Sequence, residues 1–392
     1  MNAEQFQNHL ENDLIPFWNR MEDSENGGFY GYADSDGKPD KSSVKGGILN
    51  SRILWFYAAA YQLLKKPELL AKADHAYQFL TEHFYDSRYG GVFWSVQADG
   101  SPEDTTKHTY NQSFAIYALS VYYQASGKKE ALHLAYSLYR VIEDKCRDAE
   151  GYFEAFSREF APASNEKLSE NGVLAERTMN TLLHVLEAYT ELYRADRFEA
   201  VGDSIREILG LFESKVYDQD RKICRVFFDK DYNSLIDLES YGHDIEASWL
   251  IDRACEVLGD KACHEQMLPV IKGLAEGAAQ NAIDGDNQAM NNECENGKVD
   301  AKKVWWVQAE AVTGFYNAYR NEPEKTSFLH LSEDIWKYIQ NHTIDKRTGE
   351  WFEDIAPDNT VKPGQALVHP WKCPYHNGRM CIEMIRRLSV KS

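Results

Sequence analysis

A histidine and a glutamate stand one helical turn apart in Tyr241-Gly242-His243-Asp244-Ile245-Glu246-Ala247-Ser248-Trp249-Leu250, directly after a glycine that can open a helix. At that spacing both side chains share one face of a first turn, with Trp249 beyond them. A second histidine, His376, follows Trp371 and Pro374 and precedes Arg379 by the same three residues. Two imidazoles with ordinary pKa values near ~6.5 can act as base and acid at neutral pH, one on each face of a reacting carbon. Carboxylates such as Glu246 and Glu310 orient and tune such rings. Indole faces such as those of Trp249, Trp306 and Trp371 are what a pyranose ring stacks on.

Other polar residues fall in the same kind of place. Arg52 follows Gly46-Gly47, Tyr110 precedes an apolar run, and Asn180 and His184 lie four apart on one face. Trp305, Trp306 and Glu310 share two turns. Trp305 reads as core packing. His9, His75, His83, His133, His264, His330 and His342 fall on other segments and read as structural, as do His108 and His369 in loops.

These residues need a scaffold that brings them together, and the chain has one. Glycine-aromatic loops recur at Asn26–Tyr32, Tyr89–Trp94, Glu150–Phe156 and Thr348–Phe352, roughly 60–70 residues apart. A fourth loop, Lys222–Phe228, keeps the strand-like run without glycines, and a fifth, around Asp284–Asp300, is polar and degenerate. Between them lie helical apolar spacings such as Leu54, Tyr57, Ala58, Tyr61 and Leu64. The pattern predicts twelve helices, starting near Ala3, Leu49, Pro67, Tyr110, Lys128, Glu176, Asp196, His243, Lys261, Lys303, Lys325 and Pro374, with Pro16 kinking the first. Six pairs predict an all-α (α/α)6 toroid, one domain over residues 1–392, with hairpin-like loops on one face. The candidate residues all open even-numbered helices, so inner even helices would carry them to one mouth of a central cavity.

Composition narrows the function. A net charge of −19, from 43 basic and 62 acidic residues, argues against nucleic acid or an anionic membrane as partner. Seven cysteines without a CxxC pair argue against a disulfide framework or a zinc site. The N-terminus lacks signal-peptide character, no apolar run reaches membrane-spanning length, and the expected location is cytoplasmic. No nucleotide-binding glycine motif is present. A metal is disfavoured too, because HExxH is absent and Arg52 and Arg379 would face the same cavity.

At these positions the chain resembles the N-acylglucosamine 2-epimerase superfamily and, within it, the cellobiose 2-epimerases. The resemblance spans the full length. It rests on Asn26–Gly31, Ser51–Trp55, Tyr110–Tyr117, Ser240–Leu250, Lys303–Glu310 and Trp371–Arg379. Trp371 ahead of the histidine is similar to the disaccharide-acting branch. The resemblance implies cofactor-free epimerisation at C2 of the reducing-end glucose of a β-1,4-linked disaccharide, through ring opening and a cis-enediolate. His376 would be the C2 base/acid on one face, and His243 the ring-opening acid/base and partner on the other. Arg52 and Tyr110 would stabilise the oxyanion, and Glu246 and Glu310 would orient the imidazoles. Asn180, His184 and Arg379 would bind hydroxyls, while Trp249, Trp306 and Trp371 hold the rings. The implied partner is an oligosaccharide substrate, and the chain is expected to act as a monomer, a homodimer also being compatible. Alternatives are an aldose–ketose isomerase of the same superfamily, an (α/α)6 glycoside hydrolase using Glu246 and Glu310, and a noncatalytic binding toroid.

Overall fold

The computed structural model describes residues 1–169, 171–286 and 288–389. Twelve helical segments follow one another in six pairs. The first, α1, runs Ala3–His9, passes through a π turn at Leu10–Leu14 and continues as Ile15–Asn19. Then come α2 (Gly47–Leu64), α3 (Pro67–Phe79), α4 (Thr109–Ser126), α5 (Lys129–Lys145) and α6 (Met179–Asp196). The second half holds α7 (Glu199–Leu211), α8 (Tyr241–Leu258), α9 (Lys261–Asn281), α10 (Trp305–Asn321), α11 (Thr326–Tyr338) and α12 (His376–Ser389). The even helices touch one another in order, and α12 closes back on α2. The odd helices pack outside them, which makes an (α/α)6 toroid whose main hydrophobic core runs from Phe6 to Ile385.

Composition sets inner against outer. Every residue of α2 from Gly47 to Ala60 is buried, as is every residue of α4 from Thr109 to Tyr122. A helix apolar or buried all round belongs inside, whereas α5 and α7 bury one stripe and expose the rest. Three outer helices end in π turns, at Leu80–Phe84, Phe212–Val216 and Ile339–Thr343, and the first carries one within it at Leu10–Leu14. Pro16 therefore follows a widened turn, where its missing N–H and its ring meet no α-helical carbonyl. This is how the first helix tolerates it.

The loops repeat more closely than their sequences do. Short strands lead into the inner helices and pair antiparallel with the following loop: Lys45–Gly46 with Ser95–Val96, Lys107–His108 with Ala155–Phe156, Arg177–Thr178 with Phe227–Phe228, and Lys303–Val304 with Asp354–Ile355. In each, a buried cation two residues before the helix meets an aspartate of a glycine-type loop. Lys45 reaches Asp23 at 2.8 Å, Lys107 reaches Asp86 at 3.2 Å, Arg177 reaches Asp148 at 2.7 Å and Lys303 reaches Asp284 at 2.9 Å. Gln112 and Gln308 each accept from and donate to one strand residue, Val92 and Met290.

The fourth and fifth loops, which depart from the glycine pattern in sequence, keep its geometry. The position held by Gly27, Gly90 and Gly349, at φ +84°, +81° and +86°, is filled by Lys222 at +58° and Gln288 at +54°. The left-handed backbone is costly for these residues, and the ladders Tyr217–Asp218/Ile223–Cys224 and Ile283–Asp284/Ala289–Met290 hold it in place. Asn287 of the fifth loop lies outside the described residues. That loop also adds a hairpin, Glu293–Glu295 with Lys298–Asp300, which joins Leu238–Ser240 beside the cavity mouth.

Candidate active site

The N-terminal ends of the inner helices surround a cavity of about 370 Å³. Of the residues expected there, Arg52, Tyr110, Asn180, His184, His243, Glu246, Trp306, Trp371 and His376 line it. They come from all six inner helices or the turns that open them, so six distant stretches of sequence converge on one mouth.

Trp306 joins the two catalytic candidates. Its ring lies 4.7 Å from that of His243 and 5.5 Å from that of His376. His376 Nδ1 is 2.7 Å from Glu310 Oε1. A neutral imidazole donating to that carboxylate carries its proton on Nδ1 and leaves the Nε2 lone pair for a reacting group. His243 Nδ1 instead meets the Ser240 hydroxyl at 2.7 Å. A hydroxyl both gives and accepts, so His243 can hold its proton on either nitrogen. Burial pushes both imidazoles down, His376 further under the influence of Arg379 and Arg52, and His243 to about 3 with His184 nearby. Both are neutral at pH 7, the form a base requires.

Behind the imidazoles, Arg379 gathers three carboxyl groups. It bonds Glu187 at 2.5 Å, Glu310 at 2.7 Å and Glu246. Glu187 also accepts from His184 Nδ1 at 2.9 Å and from the Tyr375 hydroxyl. Burial would raise Glu187, but Arg379 and His184 hold its carboxyl well below the usual range. Burial and Glu310 push Glu246 up to about 8, and its Oε2 has no protein partner among the described residues. On the opposite side, Arg52 donates to the Tyr110 hydroxyl at 2.9 Å and stacks on Phe114 and Tyr375. Burial pushes the Tyr110 phenol up to about 12, which keeps it a donor at neutral pH.

Several expectations are corrected here. Glu246 does not orient His243; it pairs with Arg379, and Ser240 holds the ring. Arg379 and Trp249 do not face a sugar. Both are buried behind the wall, with Trp249 Nε1 donating to Glu310 Oε2 at 3.0 Å. Trp305 is buried yet lines the cavity, its ring edge-on to His376 at 5.4 Å. His369, a loop histidine read as structural, also lines it, together with Glu353. Glu187 had a legible signal, since His184-x-x-Glu187 repeats the spacing of His243-x-x-Glu246.

Ligand atoms of Glu246, Glu310 and His376 lie within 4.8 Å of one another, a metal-like cluster. Both carboxyl groups already bond the Arg379 guanidinium, and a cation placed among them would meet that positive charge.

Comparison with known proteins matches residues 28–377 to the N-acylglucosamine 2-epimerase (GlcNAc 2-epimerase) family. The chain belongs to the N-acylglucosamine 2-epimerase family. It is 48% identical to a cellobiose 2-epimerase of Ruminococcus albus, covering 99% of each chain. It is 49% identical to a cellobiose 2-epimerase of Eubacterium cellulosolvens, covering 96% of each. The crystal structure of a sugar epimerase from a ruminal bacterium superposes with a TM-score of 0.96 at 48% identity over all of both chains. As a member of this epimerase family the chain is a carbohydrate epimerase, an isomerase, and its toroid is the fold of these relatives.

Proposed function

We propose that this chain epimerises cellobiose at C2 of the reducing-end glucose, giving the glucosyl-mannose epimer. The observation that carries this is the pair of neutral imidazoles against Trp306 in one cavity, one with its tautomer fixed by a buried carboxylate. His243, whose proton can sit on either nitrogen, opens the pyranose ring and exposes the C1 aldehyde, which acidifies the C2 proton. His376 Nε2 takes that proton. The negative charge that moves onto the carbonyl oxygen is met by Arg52 and the Tyr110 hydroxyl. His243 returns a proton to the opposite face of C2, the ring closes, and the two imidazoles re-equilibrate with water. Asn180, whose Oδ1 is buried without a protein partner among the described residues, and His184 bind sugar hydroxyls. Trp306 and Trp371 hold the rings.

Nothing in this sequence of proton transfers calls for a cofactor. Every residue in it comes from one chain, so a monomer suffices. Seven free thiols suit a reducing compartment such as the cytoplasm, and among the described residues no helix is long and apolar enough to cross a membrane. A hydrolase mechanism fits less well, because Glu246 and Glu310 share one arginine on one wall and cannot flank a glycosidic bond.

Incubation with cellobiose in D₂O should give glucosyl-mannose carrying deuterium at C2, seen by NMR. Unlabelled epimer would sink the enediolate route, a ketose labelled at C1 would make the enzyme an isomerase, and free glucose would make it a hydrolase.

A further inference from the structure

Glu353 and His369 stand at the rim of the cavity and have no part in the proton transfers above. Glu353 occupies a defined repeat position. Its carbonyl accepts the N–H that opens an inner helix, Trp305 N at 2.9 Å, as Trp94 does for Gly47 at 2.8 Å, Glu154 for Thr109 at 3.0 Å and Val226 for Met179 at 2.9 Å. The position faces the mouth in three of these four sectors: Val226 and Glu353 line the cavity, and Trp94 packs edge-on against Trp371 at 5.9 Å. Glu154 is buried and accepts instead from Thr178 and Thr181. Glu353 is thus the charged member that reaches the mouth.

His369 ties this carboxylate to an indole. The backbone N–H of Trp371 donates to His369 Nδ1 at 3.3 Å, which requires that nitrogen to be unprotonated. The ring proton is then on Nε2, which donates to Glu353 Oε1 at 2.9 Å. Glu353 Oε2 has no protein partner among the described residues. Trp371 lies in the turn closed by Lys372 N to His369 O at 3.0 Å, and at 36% exposure it is among the most exposed large apolar residues.

We infer that Glu353 and His369 form, with the face of Trp371, the subsite that selects for an outer sugar ring. Glu353 Oε2 accepts from a hydroxyl of that ring, and His369 holds carboxylate and indole in register. Glu353 is the contact and His369 the positioning residue. The inference rests on the disaccharide reading above. A carboxylate–hydroxyl bond is charge-assisted, and its loss weakens binding ~10-fold or more.

The test uses the full chain with cellobiose kinetics and inhibition by two alditols, cellobiitol and glucitol, which lack the aldehyde and cannot react. Glu353→Gln should raise KM for cellobiose and the inhibition constant of cellobiitol ~10-fold, with kcat within about twofold and glucitol unchanged. His369→Ala should do the same. His369→Asn should recover part of the loss, because an Asn oxygen accepts from the N–H two residues on and keeps the Trp371 turn. Unchanged cellobiitol inhibition in Glu353→Gln, or equal weakening of both alditols, overturns the subsite. Failure of Asn to recover anything overturns the positioning role of His369. Should His369→Ala fail to fold, Glu353→Gln alone decides. Wild-type protein that leaves cellobiose unchanged would strike the function instead, a distinct result.

Discussion

At the scale of residues, the proposed mechanism divides the labour between two neutral histidines with different partners. His376 is locked by Glu310, so His376→Asn should lower kcat by ~10²–10⁴-fold, with little change in KM and loss of deuterium exchange at C2. Glu310→Gln should lower kcat as well, because the amide no longer fixes the Nδ1 proton. The pH dependence follows from burial. Both imidazoles have pKa values below the ordinary range, so the base form persists as pH falls through ~6.5, and kcat/KM should stay level there and drop only well below it. On the alkaline side, burial and Glu310 hold a proton on Glu246 to about pH 8. Its loss places a second negative charge on the wall facing the enediolate. The profile should therefore fall above about 8 in the wild type and stay level in Glu246→Gln, as measured by kcat/KM from pH 5 to 9.

At the scale of elements, the cation–aspartate pins set where four of the inner helices, α2, α4, α6 and α10, begin, and with it the depth of their first turns. Asp86 is the most heavily used, holding Lys107 at 3.2 Å and Arg158 at 2.8 Å while buried. Asp86→Asn would leave a buried lysine without its counter-charge and should cost about 3–5 kcal/mol in urea unfolding at pH 7. Burial opposes the charged form of Asp86, yet Arg158 and Lys107 still hold its carboxyl below the usual range. A folded pKa below the unfolded one gives stability that is present above the unfolded value of ~3.9 and is lost as pH falls beneath it. The difference between wild type and Asp86→Asn should accordingly shrink below about pH 4, measured by urea midpoints.

At the scale of the molecule, closure makes the site. α12 supplies His376 and Arg379, packs against α10 and α2, and brings its charges onto Glu187, Glu246 and Glu310 from α6, α8 and α10. A buried arginine among three carboxyl groups is tolerable because Glu187 and Glu310 carry further hydrogen bonds and Glu246 holds its proton at neutral pH, which favours one arrangement of the ring. In the proposed mechanism all the reacting groups lie within one chain, and their charge comes from Arg52 and Arg379. Specific activity should then be constant on dilution through the nanomolar range and survive prolonged dialysis against EDTA. Loss in either assay would mean an obligate assembly or a metal.

The sequence by itself determined the repeat, the twelve helices and the mouth, because these are local properties. Apolar periodicity marks a helix, and a polar residue at the start of an inner helix points to one end of the toroid. It also placed both histidines and the arginine–tyrosine pair that face them. The tertiary structure alone decided which carboxylate each ring meets. Inner helices are buried on every face, so apolar spacing gives no direction, and the ~100° between successive residues separates a wall residue from one behind it. That is why Trp305 lines the cavity while Trp249 lies behind it, and why Glu246 turns to Arg379 and leaves His243 to Ser240. It is also why Glu353 and His369, from a loop whose sequence shows only a repeat, meet at the rim.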